Sequence, residues 1–247
     1  MREKKNQRDQ IREFAVRVLE LLYPIRCPVC GMIPEYGKDI CPECRVKLQD
    51  VMNPVCMKCG KPVADPTIEL CYDCSRKQHV FRAARAVFVY DGEAKASLYR
   101  FKYAGRQEYA AFYARETIKK YGHWIAHHPI DAIIPVPLHW KRKRKRGYNQ
   151  AALYARELGK ITGLPVWTNI LRRVVNTRPQ KELDDRERKN NLKNAFKCEK
   201  SIVQSKYILL VDDIYTTGST VDMAASELMR AGAAGVFVIC ISIGGGL

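Results

Sequence analysis

The pattern of hydrophobic and polar positions predicts alternating strands and helices over the C-terminal two thirds of the chain. Four apolar runs have the length of buried strands and end at charged or turn residues, at 86–90, 131–135, 207–211 and 236–242. Apolar residues at helical spacing occupy the segments 94–102, 108–121, 147–161 and 221–231. Strands that alternate with helices indicate a parallel α/β sheet.

The segment before the first predicted strand has a different pattern. Apolar residues recur at helical spacing from Ile11 to Leu22 and stop at Pro24, which predicts a short amphipathic helix. Its basic residues allow a position on a membrane surface, but the narrow apolar stripe favours docking on the next domain. We therefore predict a helix within residues 1–24, a cysteine-rich module over 25–78 and an α/β domain over 79–247.

Eight of the ten cysteines fall in four Cys-x-x-Cys pairs, namely Cys27, Cys30, Cys41, Cys44, Cys56, Cys59, Cys71 and Cys74. A two-residue gap points both thiolates at one ion, and two such pairs complete a tetrahedral zinc site. Four pairs predict two structural zinc ions, most simply held by the first four and the last four cysteines, with a crossed arrangement left open. Gly31 and Gly60 each follow a second ligand and suit the sharp turn of such a site.

Two other roles for the cysteines are weaker. A disulfide framework is disfavoured, because no secretory leader marks the chain as exported and the cytosol keeps thiols reduced. An iron–sulfur cluster is a minor alternative for a ligand set made only of thiolates. Since no apolar run is long enough to span a bilayer, we expect a cytoplasmic protein. Whether the zinc module also binds nucleic acid stays open.

The formal net charge of +17 indicates a polyanionic partner or ligand. The densest concentration of charge is a run of six bases after the 131–135 strand, made of Lys141, Arg142, Lys143, Arg144, Lys145 and Arg146. A basic loop at the carboxyl end of a strand is where an open α/β sheet binds its ligands. Arg142, Arg146 and the Gly147 backbone are therefore candidates for binding pyrophosphate, and the same run is equally suited to follow a nucleic-acid backbone.

A second basic segment, residues 101–106, mixes aromatic and basic side chains. Lys102 and Arg106 are candidates for contact with nucleic acid, because such a mixture suits base stacking and phosphate binding. Snorkelling cations at a helix end have the same composition, and on the segment alone that interpretation is favoured.

The stretch after the 207–211 strand carries the strongest signal for a ligand. Asp212 and Asp213 follow that strand directly, and a hydroxyl-rich run comes next, made of Thr216, Thr217, Gly218, Ser219 and Thr220. A helix that begins there presents free backbone N–H groups and the positive end of its dipole to a phosphate. Two adjacent acids suit a sugar diol and a divalent cation. The stretch therefore predicts a site for a phosphorylated ribose rather than an ordinary helix cap, which needs neither paired acids nor four hydroxyls.

Residues 171–191 are basic or charged and have no apolar periodicity. They suit a mobile flap over the site, and an uninvolved surface excursion is an equal alternative. The residues that would reach the ligand from such a flap are Thr177, Arg178, Gln180 and Arg188.

The stretch from Val211 to Thr220 resembles the signature loop of type I phosphoribosyltransferases, which bind phosphoribosyl pyrophosphate (PRPP). Together with the cysteine module and the segments Pro135-Val-Pro-Leu-His139 and Arg146-Gly-Tyr-Asn-Gln150, the chain resembles the ComF competence-protein family. The resemblance covers nearly the whole sequence. It implies a type I phosphoribosyltransferase-like domain preceded by a double zinc module.

The resemblance also implies roles for residues. Asp212 and Asp213 would contact the ribose hydroxyls at the catalytic centre, and the run from Thr216 to Thr220 would hold the 5-phosphate. The segment from Pro135 and Val136 to Gly147 would face pyrophosphate and a magnesium ion. The family is associated with handling single-stranded DNA during natural transformation, with a helicase-like ATPase, ComFA, as the expected partner.

The sequence does not identify an acceptor, so two functions stay open. In one, PRPP is a sensed or structural ligand while the basic surface and the zinc module bind single-stranded DNA. In the other, the chain is an active phosphoribosyltransferase on a small base or amine. Asp213 would then help to stabilise the positive charge that develops on the sugar.

Overall fold

A computed structural model describes residues 24–174 and 195–244. The chain divides into two compact units, residues 1–47 and 48–247, and the division falls between the second and third cysteine pairs. The predicted domain boundaries near residues 24 and 78 remain predictions. The predicted helix over residues 11–22 and the flap residues Thr177, Arg178, Gln180 and Arg188 lie outside the described residues.

The described part of the first unit is a metal-site fold with little regular structure. A tight turn carries the first cysteine pair, and there the Gly31 N–H donates to the Cys27 carbonyl at 2.9 Å. A one-turn helix, α1 (Pro42–Arg45), carries the second pair. Gly31 has φ +77°, as predicted for the turn after a second ligand.

A four-stranded parallel sheet forms the core of the second unit, which confirms the predicted α/β class. The strand order is β1 (Ala84–Val89), β6 (Gly235–Ile243), β5 (Tyr207–Tyr215) and β2 (Ala132–Pro135). All nine residues of β6 are buried, as expected for a central strand covered on both faces. The carboxyl ends of the four strands meet at one edge, where an open α/β sheet binds ligands.

Helices and a small antiparallel pair surround this sheet. The helices are α2 (Tyr72–Arg76), α3 (Gly92–Tyr103), α4 (Tyr109–His127), α5 (Trp140–Arg146), α6 (Gln150–Thr162), α7 (Lys200–Val203) and α8 (Ser219–Arg230). Strands β3 (Leu171–Arg173) and β4 (Phe196–Cys198) pair antiparallel. Among the described residues, no helix is long and apolar enough to cross a membrane.

Strand β5 is longer than its apolar run predicted. It continues beyond Val211 to Tyr215, because it stays paired with β6 as far as the Tyr215–Ile243 position. Asp212 and Asp213 therefore lie within the strand rather than in the loop after it. The backbone of both acids is therefore held in place by the pairing of β5 with β6.

The run of six bases is a helix rather than the predicted loop. Lys and Arg are good helix formers, and the run is bounded by matching caps. His139 precedes α5 and its side chain accepts from the Lys141 N–H, while Gly147 ends the helix at φ +84°. The run contains no apolar residue, so it has no helical periodicity for a sequence pattern to reveal.

Candidate functional site

The eight paired cysteines form two clusters of four in sequential order, which confirms the simpler of the two predicted pairings. The clusters are Cys27, Cys30, Cys41 and Cys44 in the first unit, and Cys56, Cys59, Cys71 and Cys74 in the second. Within each cluster the four Sγ atoms lie within 4.8 Å of one another. Four thiolates at this separation fit a tetrahedral zinc ion.

The second cluster favours a thiolate at Cys56, whereas donation to Cys56 raises the pKa of Cys59 and burial raises that of Cys74. The pKa of Cys56 lies far below its usual value, because the Cys59 thiol and nearby backbone N–H groups donate to it. The Cys59 and Cys71 Sγ atoms are 3.5 Å apart. Gly60 makes the turn at φ +77°, where a Cβ would come within 2.7 Å of the Ala84 carbonyl oxygen. The sequence therefore needs glycine here for both conformation and space.

The second cysteine cluster is part of the same buried core as the sheet. Its four cysteines pack in one cluster with Phe81, Tyr215 and Val221. The Phe81 and Tyr215 rings meet edge to face with centroids 6.3 Å apart. Tyr215 is the last residue of β5, so the metal site packs against the strand that carries the two acids.

A single carboxylate joins the segment after this cluster to helix α8. Asp222, in the first turn of α8, accepts from the Val80 N–H at 2.8 Å. Its other oxygen lies 3.4 Å from His79 Nδ1 and 3.5 Å from Lys77 Nζ. The start of α8 is therefore held both by the strand before it and by the segment that follows the second cysteine cluster.

The predicted phosphate loop is the turn between β5 and α8. Gly218 has φ +73°, and a Cβ there would overlap the Tyr215 hydroxyl, so the turn requires glycine. The Thr217 and Ser219 hydroxyls are 2.9 Å apart. Thr216 and Thr217 are exposed, whereas Thr220 is half-buried. The hydroxyls and the first N–H groups of a 12-residue helix are thus gathered at the carboxyl end of a parallel strand.

The two acids are held differently. Asp212 accepts from the Asp213 N–H at 2.9 Å. Loss of solvent, reinforced by the charge of Asp213, raises the pKa of Asp212 to about 7. Asp213 Oδ1 is 2.9 Å from Lys102 Nζ, and both side chains are 15% exposed. One acid is thus paired with a cation, and the other is an acid whose pKa is raised.

Further cations act on the same region. Arg173, on β3, is close enough to Asp212 to lower that residue's pKa. The pKa of Arg173 is itself lowered by loss of solvent and by the nearby charge of Arg142. Loss of solvent and the charges of Arg173, Lys141 and Arg142 lower the pKa of His139. Arg173 is thus near both Asp212 and Arg142, and two neighbouring guanidinium groups suit a ligand with several phosphates.

The other predicted residues of the 135–147 segment have local partners. The Val136 N–H donates to the Val211 carbonyl, and Pro135 pairs with Val211 across the sheet. The Gly147 N–H donates to the Lys143 carbonyl and closes helix α5, so it is not directed at a ligand. Arg146 donates to Gln150 Oε1 at 3.1 Å and to the Tyr103 hydroxyl at 2.7 Å.

The predicted nucleic-acid residues fall into two groups. Four are exposed on α5, namely Lys141, Lys143, Arg144 and Lys145. The others are partly enclosed: Arg142 and Arg146 are half-buried, Lys102 pairs with Asp213, and Arg106 lies 3.7 Å from Glu108. Lys102 thus belongs to the acid site in this arrangement.

Sequence reasoning missed several residues of this region. Arg173 gave no signal beyond its place in a generally basic stretch, and the Lys102–Asp213 pair joins positions 111 residues apart in the sequence. Tyr103 stood in the segment noted for mixing aromatics and bases, but its contact with Arg146 depends on the docking of α3 against α6. Only the folded chain brings these side chains together.

Fold and site together define the class of protein: an α/β protein with a parallel sheet, an acid pair and hydroxyl loop at one strand end, and two metal sites of four cysteines each. A family model described as "Double zinc ribbon domain" matches residues 18–75. The "DNA utilization protein YhgH" of Salmonella typhimurium is 33% identical over 229 residues, which cover 90% of this chain and 98% of that protein. The chain belongs to this family, the ComF competence-protein family.

Two further similarities are more distant. The "Competence protein ComFC" of Bacillus subtilis is 27% identical over 202 residues, covering 79% of this chain and 80% of that protein. A solved structure of glutamine PRPP amidotransferase from B. subtilis, complexed with ADP and GMP, is 20% identical with a TM-score of 0.36. It matches 55% of this chain, and the match spans 26% of the enzyme. At that TM-score the likeness carries no further argument.

Proposed function

We propose that this protein binds PRPP with magnesium and acts on single-stranded DNA in DNA uptake. The observation that carries the PRPP proposal is the arrangement at the end of β5. There Asp212 and Asp213 precede the hydroxyl loop and the start of α8, with Lys102 2.9 Å from Asp213. An acid pair next to a phosphate-binding turn matches a ligand that has a diol on one side and a phosphate on the other.

Each part of PRPP has a matching group. The 5-phosphate would accept from the N–H and hydroxyl groups of residues 216–220. The ribose hydroxyls would donate to Asp212 and Asp213. Arg142 and Arg173 supply positive charge for the pyrophosphate, and magnesium, when bound, would neutralise part of its charge.

The DNA part of the proposal rests on charge and on the relatives. Helix α5 exposes four cations, and the chain carries a net charge of +17. Exposed Lys and Arg side chains on one helix suit binding of the phosphate backbone, independent of sequence. The printed names of the relatives refer to DNA utilization and competence. From the resemblance to the ComF family we also propose a location in the cytoplasm and a ComFA-like ATPase as the partner.

Calorimetry with magnesium and PRPP tests the ligand. We expect wild-type protein to release or absorb heat on binding, and Asp212→Ala plus Asp213→Ala to weaken the affinity at least tenfold. Glu69→Ala is the control, because Glu69 is an exposed acid that is far from this loop in the sequence. No heat of binding by wild type, or equal affinity in the double variant, would refute PRPP binding.

Phosphoribosyl transfer is a second candidate function, favoured by the position of Asp213 beside a lysine in a half-buried site. The acceptor nitrogen would bond to the sugar C1 while the C1–O bond breaks and its electron pair leaves with pyrophosphate, and the acceptor's N–H proton would pass to solvent. Pyrophosphate release from PRPP should then depend on an added base, amine or DNA. Tight PRPP binding without any acceptor-dependent release would favour the sensor role.

A further inference from the structure

We propose that Tyr99, Tyr103 and Arg146 form a surface on which a base of the single strand stacks, and we call it the tyrosine surface. The proposal rests on the proposed DNA function and deepens it by naming the group that is recognised. Tyr99 is 64% exposed and Tyr103 52% exposed, one turn apart on α3. Their ring centroids are 4.9 Å apart and their planes are tilted by 46°.

Arg146 joins this aromatic pair to the basic helix. Its guanidinium lies 4.6 Å from the Tyr103 ring centroid and also donates to the Tyr103 hydroxyl at 2.7 Å. Arg146 is the last residue of α5, so the exposed cations of that helix continue directly into the tyrosine surface. A strand whose phosphates follow α5 would carry its bases to the two rings.

A cavity next to the rings provides room for a base. Its volume is about 610 Å³, and its lining includes Tyr90, Leu98, Tyr99, Lys102 and Tyr103. A lining that combines aromatic side chains with cations suits a planar, electron-rich ring carried on a phosphate chain. A simple i, i+4 helix contact explains why the two tyrosines touch, but not why they border an open cavity beside a basic helix.

The cavity also adjoins the acid site. Lys102 lines the cavity while its amine pairs with Asp213 at 2.9 Å. A base bound on the tyrosine surface would therefore lie within one side chain of the proposed ribose site. The occupant of this surface is a single strand, because the rings are more than half exposed and continuous with the cations of α5.

Fluorescence anisotropy with two labelled strands of equal length tests the proposal. One strand is oligo-dT, and the other is an abasic strand with the same number of phosphates. Wild-type protein should bind oligo-dT more tightly than the abasic strand. Tyr103→Ala should weaken oligo-dT binding about tenfold and leave abasic binding unchanged, because stacking of a base is lost while phosphate contacts remain.

Two further variants control the result. Tyr103→Phe keeps the ring and should retain most of the oligo-dT affinity. Tyr72→Ala removes another exposed tyrosine, one that also has an arginine 4.6 Å from its ring, and should leave binding unchanged once its zinc content is shown to be intact.

The outcomes separate this inference from the function on which it rests. If wild type binds neither strand, both fail. If wild type binds both strands and Tyr103→Ala changes neither affinity, the tyrosine surface is refuted while DNA binding stands. A loss in Tyr72→Ala equal to that in Tyr103→Ala also overturns it. An effect of Tyr103→Ala on the binding of free thymidine monophosphate, with none on either strand, overturns it too.

Discussion

Asp212 and Gly218 show how single residues fix the character of the loop. Asp212 is a carboxylic acid in a strand, partly buried and with a second acid next to it. Glycine is the only residue type that fits at position 218, because any Cβ there would overlap the Tyr215 hydroxyl. The first sets the charge of the site and the second sets its shape.

The raised pKa of Asp212 predicts a pH-dependent stability. In the unfolded chain this group ionises near its ordinary pKa of 3.8, and in the folded chain its pKa is about 7. The folded state therefore holds the extra proton between these values, and its contribution to the free energy of unfolding falls as the pH rises through that window. Asp212→Asn removes this loss, so it should stabilise the protein by about 1 to 2 kcal/mol at pH 8 and little at pH 4, which is less than the full shift would give because Asp212 is only partly buried.

Urea denaturation of wild type and Asp212→Asn at pH 4 and pH 8 measures the effect. Glu69→Asn is the control, since Glu69 is exposed. An equal difference between Asp212→Asn and wild type at both pH values would contradict the burial of this carboxyl.

Gly218→Ala should disrupt the phosphate loop. The backbone there is at φ +73°, and the new Cβ would overlap the Tyr215 side chain, so ring and loop must shift. We expect a loss of about 2 to 4 kcal/mol of stability and at least tenfold weaker PRPP binding. Gly105→Ala is the matched control: it has φ +70° with nothing within 4 Å of the new Cβ.

Thermal melts and calorimetry on both variants separate the two causes. Gly105→Ala should cost about 1 kcal/mol and leave PRPP binding unchanged, because only the backbone conformation is strained. Similar losses in both variants would mean that the contact with Tyr215 is unimportant.

At the scale of elements, the sequence predicted the sheet and the loop better than the surroundings of the site. Apolar runs such as 236–242 are strong signals for buried strands, and the acid pair with its hydroxyl run marked the strand end. The end of β5 was missed because Asp212 and Asp213 look like loop residues until β6 pairs with them. Helix α5 was missed because all its residues after Trp140 are basic, so it has no apolar spacing that would indicate a helix.

Helix α5 should carry a measurable share of the salt dependence of DNA binding. Lys143→Ala plus Lys145→Ala removes two exposed cations without deleting an apolar contact. The slope of log K against log salt should become shallower by about 1 to 2, because fewer counterions are released on binding.

Lys119→Ala plus Lys200→Ala is the control, since both lysines are exposed on other helices. Anisotropy titrations with oligo-dT at several salt concentrations give the slopes. If the control pair changes the slope as much as the α5 pair, binding is spread over the basic surface and α5 has no special role.

At the scale of the whole molecule, the two cysteine clusters have different structural surroundings. The first cluster lies in the small unit of residues 1–47, and the second packs into the core of the large unit with Phe81 and Tyr215. The sequence predicted both zinc sites but not this difference. The spacing of the cysteines indicates which of them share an ion, whereas the burial of each cluster depends on how the rest of the chain folds.

Loss of the second metal should therefore damage the loop. Cys71→Ser should remove one zinc per chain, cost several kcal/mol of stability and weaken PRPP binding, because the metal supplies folding free energy beneath Tyr215 and α8. Cys30→Ser should also remove one zinc, with PRPP binding retained. Metal analysis, denaturation and calorimetry provide the three readouts. Intact PRPP binding in zinc-depleted Cys71→Ser would contradict the coupling.

Through its contacts, Asp222 also couples the ligand on the loop to the second metal site. If bound zinc stabilises the start of α8 through the segment from Lys77 to Val80, it favours ligand binding to the loop. Ligand binding must then strengthen zinc binding by the same free energy. The protein would then lose its second metal more slowly to a chelator while the loop is occupied. Metal retention in the cell would in that case follow the supply of the sugar phosphate.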